Sequence, residues 1–183
     1  MDGFVLISTS NSEMSSGRRY IPLISKVLEK DGHDCIIHDA RTLAPFWMKP
    51  GCLSIAPEGY ETVARDIDAA AGVIMIVPIY CYTASSIAKC LSEVFNAHLA
   101  FKPMAFVVTA GTEKSYLAVR DLMASVTFEQ STICYPKIHF DCSATTAPLS
   151  DENTARCTDL VQNFAFFSRT LSPFLERRNY ANS

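Results

Sequence analysis

The sequence predicts an α/β fold: a doubly wound, five-stranded parallel sheet with helices on both faces. Two observations lead there. Five β-rich runs alternate strictly with five helical patterns along 183 residues, and such alternation implies βαβ crossovers joining parallel strands. Three of the runs are continuously apolar, the pattern of strands covered on both faces rather than one. For five strands the common solution is the order 2-1-3-4-5.

The strand runs are FVLIST (4–9), DCIIHDA (34–40), GVIMIVPIY (72–80), MAFVVTA (104–110) and TICYPKIHF (132–140). Helical patterns fill the gaps at 17–30, ending at the stop signal Lys30-Asp31-Gly32, and at 59–70, 85–99 and 114–126. A last helix is expected over 151–175, where Asp151 and Glu152 favour an N-terminus and Pro173 should interrupt the run. One face of it carries Leu160, Phe164, Phe167, Leu171 and Phe174, which suits a core. Phe166 lies off that stripe and suggests a subunit contact.

A chain of this length with 49% apolar residues suits one domain, residues 1–183, burying roughly 70% of its unfolded surface. Net charge is −3 and the basic residues are scattered, so neither nucleic acid nor an anionic membrane is an expected partner. The N-terminal apolar run FVLI is too short for a signal peptide or a membrane span, and the expected location is the cytoplasm. Seven cysteines (35, 52, 81, 90, 134, 142, 157) form no C-x-x-C pair. Most are read as small buried hydrophobes. His33, His38, His98 and His139 lack metal-ligand spacing and are read as surface or strand-end residues. No G-x-S-x-G is present, which argues against a hydrolase.

In an open α/β sheet the ligand lies outside the carboxyl ends of the strands, here strands 1, 3 and 4. After strand 1 come Ser8, Thr9, Ser10, Asn11, Ser12, Ser15 and Ser16, then Gly17 and a helix. Hydroxyls and unpaired amides at a helix start favour an anion, although the same residues also make an ordinary Ser-rich cap. Neither G-x-G-x-x-G nor G-x-x-x-x-G-K-[ST] occurs, so a phosphate here would belong to neither a Rossmann dinucleotide nor a P-loop nucleotide. After strand 3, Pro78 is expected to end the buried run. Ile79, Tyr80, Cys81 and Tyr82 follow, with flat faces, polar tips and backbone amides free to meet a planar heteroaromatic ring such as an isoalloxazine. Taken alone, the Y-x-Y pair is more simply a roof over the sheet edge. Cys81 has no local His or Lys to lower its pKa and is read as passive. After strand 4 come Ala110, Gly111 and Thr112, where glycine allows close backbone approach and threonine offers a hydroxyl.

Taken together, these loops resemble those of the NADPH-dependent FMN reductase family of flavodoxin-like proteins, over residues 4 to about 140. The family's phosphate loop, G-S-x-R-x-x-S-x-N, falls on TSNSEMSSG (9–17). Ser10 and Ser15 are retained; Thr9, Ser12 and Gly17 replace Gly, Arg and Asn. Its ring loop, P-E-Y-N followed eight residues later by Lys, is matched at Pro78, Tyr80 and Lys89, with Ile79 for Glu and Cys81 for Asn. IIHDARTLAPFW (36–47) resembles its D-L-x-x-L-P segment, and TAGTEKSYLAVRDLM its Gly-Gly turn with one Gly lost.

The resemblance implies a flavodoxin-like fold, FMN as cofactor and NADPH or NADH as co-substrate. It implies that FMN is held by Ser10, Ser12, Ser15, Ser16, Gly17, Pro78, Ile79, Tyr80, Cys81, Tyr82, Ala110, Gly111 and Thr112, in a homodimer or homotetramer. No catalytic side chain is expected, because the flavin carries the chemistry. Phe46, Trp47, Met48 and Tyr82 are candidates to wall the nicotinamide and acceptor pocket, Trp47 being as well suited to core or dimer packing. Losing the phosphate-loop Arg removes a charge-assisted hydrogen bond of ~1.5–3 kcal/mol. Arg18 or Arg19, one helical turn on, would have to substitute. The expected function is an FMN-dependent NAD(P)H oxidoreductase passing hydride to a free flavin, a quinone or a similar small acceptor. The missing Arg, Glu and Asn keep a second reading open: a domain of this fold that binds flavin weakly or not at all and acts as an electron carrier or interaction protein.

Overall fold

Strands that are apolar on both faces need cover on both sides, and the chain supplies it. The computed structural model describes residues 3–43, 56–143 and 147–181. Its strands are β1 (Phe4–Ser8), β2 (Cys35–Asp39), β3 (Gly72–Tyr80), the two-residue β4 (Thr83–Ala84), β5 (Pro103–Thr109) and β6 (Ile133–Asp141). The five longer strands are parallel in the order β2-β1-β3-β5-β6, which is the expected order.

Successive side chains point to opposite faces of a strand, and each face meets its own helices. Val5 and Ile7 of β1, Val73, Met75 and Val77 of β3, and Met104, Phe106 and Val108 of β5 form one core layer. That layer packs under α2 (Tyr60–Ala69), α3 (Ser86–Val94) and α5 (Arg120–Gln130). Phe4 and Leu6, Ile74 and Ile76, and Ala105 and Val107 form the second layer, under α1 (Tyr20–Lys30) and α6 (Asp151–Ala181). Each fully buried Val, Leu or Ile contributes about 1.5–3 kcal/mol, so the central strands commit the topology. No described helix is long and apolar enough to cross a membrane.

The structure departs from the sequence reading at several points. A sixth strand, β4, folds back antiparallel on the end of β3. Pro78 therefore does not end the buried run: it lies within β3 opposite Thr109, and Ile79 beyond it is still buried. The expected helix 85–99 breaks at Phe95 into α3 and a single turn, α4 (Asn96–Leu99). Residues 113–115 form only a 3₁₀ turn, and α5 begins at Arg120 and runs to Gln130. The last helix continues through Pro173, where the exposed surface lets the carbonyl deprived of its N–H partner meet solvent. Tyr135–Lys137 bulges out of the β6 ladder around Pro136, which has no N–H to give. Of the described cysteines only Cys157 is buried; Cys81 is exposed and Cys35, Cys90, Cys134 and Cys142 are intermediate. Cys52 lies outside the described residues. His33 and His139 are buried rather than exposed.

Gly72 opens β3 under α6. A Cβ there would lie 2.9 Å from both Phe164 Cζ and Ser168 Oγ, and both residues are fully buried. Gly72→Ala should therefore overpack this seam and destabilise the protein by about 1–3 kcal/mol, read as a lower urea midpoint at constant m-value.

Candidate active site

The carboxyl ends of β1, β3 and β5 open onto a cleft of about 180 Å³. It is lined by Ser12, Met14, Ser15, Ser16, Pro78, Ile79, Tyr80, Thr109, Ala110 and Gly111.

One wall is the loop after β1. Thr9 donates to the Ile76 carbonyl twice, from its N–H at 3.1 Å and its Oγ1 at 2.8 Å. Ser85 donates to the Thr9 carbonyl at 3.0 Å and accepts from Ala88 N–H at 3.2 Å, capping α3. Three elements are thus fixed to one another at the cleft's base. Beyond Thr9 the loop turns on its own hydroxyls: Ser10 Oγ accepts from Ser12 N–H and Ser12 Oγ from Met14 N–H, each at 3.2 Å. A 3₁₀ turn, Ser16–Arg19, then leads into α1. It sits so close to β3 that a Cβ on Gly17 would lie 2.7 Å from Ile76 Cγ2. Glycine is required here for approach, not for an unusual φ.

What this wall offers is neutral. Among the described residues, none accepts a hydrogen bond from the amides of Glu13, Ser16 or Gly17, and the hydroxyls of Ser15 and Ser16 are unbonded. The two arginines that follow are occupied. Arg18 forks onto Asp39 at 2.6 and 2.8 Å. Arg19 binds Asp141 at 2.7 Å, the Ala147 carbonyl at 2.9 Å and Ser143 at 3.0 Å. Neither stands in for the absent phosphate-loop Arg. Burial would raise the Asp39 carboxyl, but hydrogen bonds from Arg18 and Arg41 outweigh it and hold Asp39 at about 2.

Asp141 centres a second cluster beneath the loop. Tyr20 donates to its Oδ2 at 2.8 Å, so the Tyr20 oxygen accepts from His139 Nε2 at 2.9 Å. That fixes the Nε2–H tautomer and leaves Nδ1 buried without a partner. Burial, with Arg156 adding to it, pushes His139 down to about 4. Asp141 is also lowered: burial opposes ionisation, and Ser143, Tyr20 and Arg19 prevail.

The opposite wall is the end of β3 and its hairpin. Pairing of Ile79 with Ala84 and Tyr80 with Thr83 draws into a ladder backbone that the sequence had left free for a ring. The two-residue turn is Cys81–Tyr82, at φ 50° and 63°, the type I′ geometry of tight hairpins. Tyr80 OH lies 3.2 Å from Ser10 Oγ, tying the ring-loop candidate to the phosphate-loop candidate. Lys89, matched to the family's lysine, pairs instead with Glu93 one helical turn on.

Of the residues expected from sequence, Ser12, Ser15, Ser16, Pro78, Ile79, Tyr80, Ala110 and Gly111 come together in the cleft. Ser10 and Gly17 support it from behind. Cys81 and Tyr82 are exposed in the adjoining turn and do not line it. Thr112 accepts from Lys114 N–H at 3.4 Å as the cap of the 113–115 turn. Phe46, Trp47 and Met48 lie outside the described residues. Sequence reasoning missed Met14 and Thr109. Thr109, the last residue of β5, was legible as a strand-end position; Met14 carried no signal.

A parallel sheet in this order, with a cleft across its first, third and fourth long strands, defines a flavodoxin-like fold. The family model for NADPH-dependent FMN reductase matches residues 4–145. The chain belongs to that family, whose members are flavin-dependent NAD(P)H oxidoreductases using FMN. Among solved structures it is similar to FerB, a flavoenzyme NAD(P)H:(acceptor) oxidoreductase from Paracoccus denitrificans, at 16% identity and TM-score 0.71, covering 93% of this chain and 98% of that one. An apo NADH:FMN oxidoreductase matches at 18% identity and TM-score 0.68, covering 91% and 89%. A flavodoxin from the domain Archaea matches at 12% identity and TM-score 0.63, covering 91% and 99%. No curated protein matches the chain.

The His139 cluster makes a pH prediction. Its folded value lies below the ordinary 6.5, so between about pH 6.5 and 4 the unfolded chain binds a proton that the folded chain does not. Stability is present above 6.5 and should fall by roughly 3 kcal/mol across that window; Asp141 adds its own loss only below about 4. His139→Gln retains the Nε2 donor without titrating. Urea melts at several pH values should show a flatter profile for the variant, and parallel profiles would exclude His139.

Proposed function

We propose that the protein oxidises NAD(P)H and passes hydride to a free flavin, a quinone or a similar small acceptor, with FMN held in the cleft between the β1 and β3 loops. One observation carries this reading. Within a single cleft, unbonded hydroxyls and amides at the start of a helix face an aromatic residue on the opposite strand end. The first is the donor set a phosphate takes, and the second suits a planar ring.

In this reading the Ser12, Ser15 and Ser16 hydroxyls and the Ser16 and Gly17 amides bind the phosphate. Ile79, Tyr80, Ala110 and Gly111 hold the ring, and Ser10 orients Tyr80 by its hydrogen bond. FMN held there would supply the redox chemistry between the nicotinamide and the acceptor. Among the described residues no carboxylate, histidine or lysine lines the cleft, and in this reading the chain binds and orients the ligand. Phe166, 75% exposed, and Phe128, 92% exposed, are apolar surface available to a homodimer or homotetramer.

The test is an FMN titration of the purified protein followed by anaerobic addition of NAD(P)H. Saturable binding with bleaching of the oxidised flavin bands, and turnover once an acceptor is added, is the expected result. A protein that binds no FMN would instead be a non-flavin interaction domain. Because the phosphate wall is neutral, Ser12→Arg should restore a charge-assisted hydrogen bond of ~1.5–3 kcal/mol and tighten FMN binding about ten- to a hundredfold, measured by quenching of flavin fluorescence.

A further inference from the structure

The β3–β4 turn is built from residues that resist its geometry. Type I′ turns require positive φ at both central positions and strongly favour Asn-Gly or Asp-Gly. Here the positions are Cys81 and Tyr82, at φ 50° and 63°. Left-handed backbone is costly for any residue bearing a Cβ, and more so for a bulky one.

Among the described residues nothing recovers that cost through Tyr82. Its ring is 65% exposed, and among the described residues it makes no hydrogen bond or ring contact. Tyr80, two residues earlier, differs: its hydroxyl meets Ser10 and its side chain lines the cleft. A strained turn that holds an uncommitted aromatic beside a ligand cleft points to function outside the folding of the chain.

We infer that Tyr82 is a specificity-determining residue, the platform on which a planar aromatic acceptor stacks as it meets the cleft. This inference rests on the proposed oxidoreductase reading and names its acceptor class: a fused or conjugated ring, such as a quinone or a free flavin, rather than a compact inorganic oxidant. The turn's position explains the choice of residue. Tyr82 is 65% exposed at the tip of the turn, so its face is open to a ring arriving from solvent. Offset stacking of two aromatic rings stabilises their contact by an amount equal to about a two- to tenfold change in affinity. A non-planar acceptor gains none of it.

The experiment uses FMN-saturated protein and two acceptors, menadione and ferricyanide. With the first, NAD(P)H, the quinone and one proton give NAD(P)⁺ and the hydroquinone. With the second, NAD(P)H and two ferricyanides give NAD(P)⁺, one proton and two ferrocyanides. The readout is the ratio of kcat/KM for menadione to that for ferricyanide. Tyr82→Leu should lower this ratio about three- to tenfold, chiefly through the KM for menadione, whereas Tyr82→Phe should keep it within about twofold. Cys81→Asn/Tyr82→Gly should lose the same selectivity while gaining about 2–4 °C in Tm for each relieved residue. An unchanged ratio in Tyr82→Leu, or an equal loss in Tyr82→Phe, overturns the inference while leaving the oxidoreductase reading intact. A wild-type protein that binds FMN yet reduces neither acceptor overturns the reading, and the inference with it.

Discussion

The Ile76 carbonyl accepts two hydrogen bonds from one residue, Thr9, and the placement of the cleft follows from that junction. It joins the end of β1 to the middle of β3. Ser85 then attaches the start of α3 to the same point through the Thr9 carbonyl. Gly17 completes the arrangement by letting the 3₁₀ turn rest on the Ile76 side chain, where a methyl group would not fit. Four segments meet around one buried residue, so the two loop walls have little freedom in their separation. The Ser10–Tyr80 contact bridges them at the top.

Charge is used here for bracing. Arg18 reaches sideways to the end of β2 and Arg19 to the end of β6, so the first helical turn is strapped to both edges of the sheet. Partly buried pairs of this kind are costly to break, because removing one partner leaves the other charge uncompensated. The arginines are therefore committed to the scaffold, and the anion end of the cleft is left with neutral hydroxyls and amides. Rigidity of the loop and the proposed anion binding would draw on the same two guanidinium groups.

The sheet was legible because burial on both faces leaves a coarse signal: Val73 to Val77 and Met104 to Val108 can hardly be anything but central strands. The strand order followed from their number and alternation. The cleft was legible where small, hydroxyl or aromatic residues follow a strand, as at Ser15, Ser16, Tyr80 and Gly111. What escaped was decided by pairing across space. Nothing local to Thr83 announces a strand, since its partner Tyr80 makes it one only through a turn that neither Cys81 nor Tyr82 favours. Arg18 and Arg19 looked available because Asp39 and Asp141 lie some 20 and 120 residues away. His139 looked exposed because its hydrogen-bond partner, Tyr20, sits on another element, more than a hundred residues away.

These observations bear on how tightly such a site should hold its ligand. A phosphate bound by neutral donors gains from each hydrogen bond, and from the helix start, but lacks the stronger contribution of a fixed cation. The ring end contributes mostly planar contact, which any flat heteroaromatic can share. A cleft with a modest anion site and a generic aromatic wall discriminates less between a bound flavin and a second flavin or quinone than one with an arginine would. Weak discrimination is a cost for a permanently held cofactor, yet it suits a site where a ring must arrive and leave at every turnover. The same neutral wall that would lower affinity would favour exchange, and exchange is what the proposed reduction of small diffusible acceptors requires.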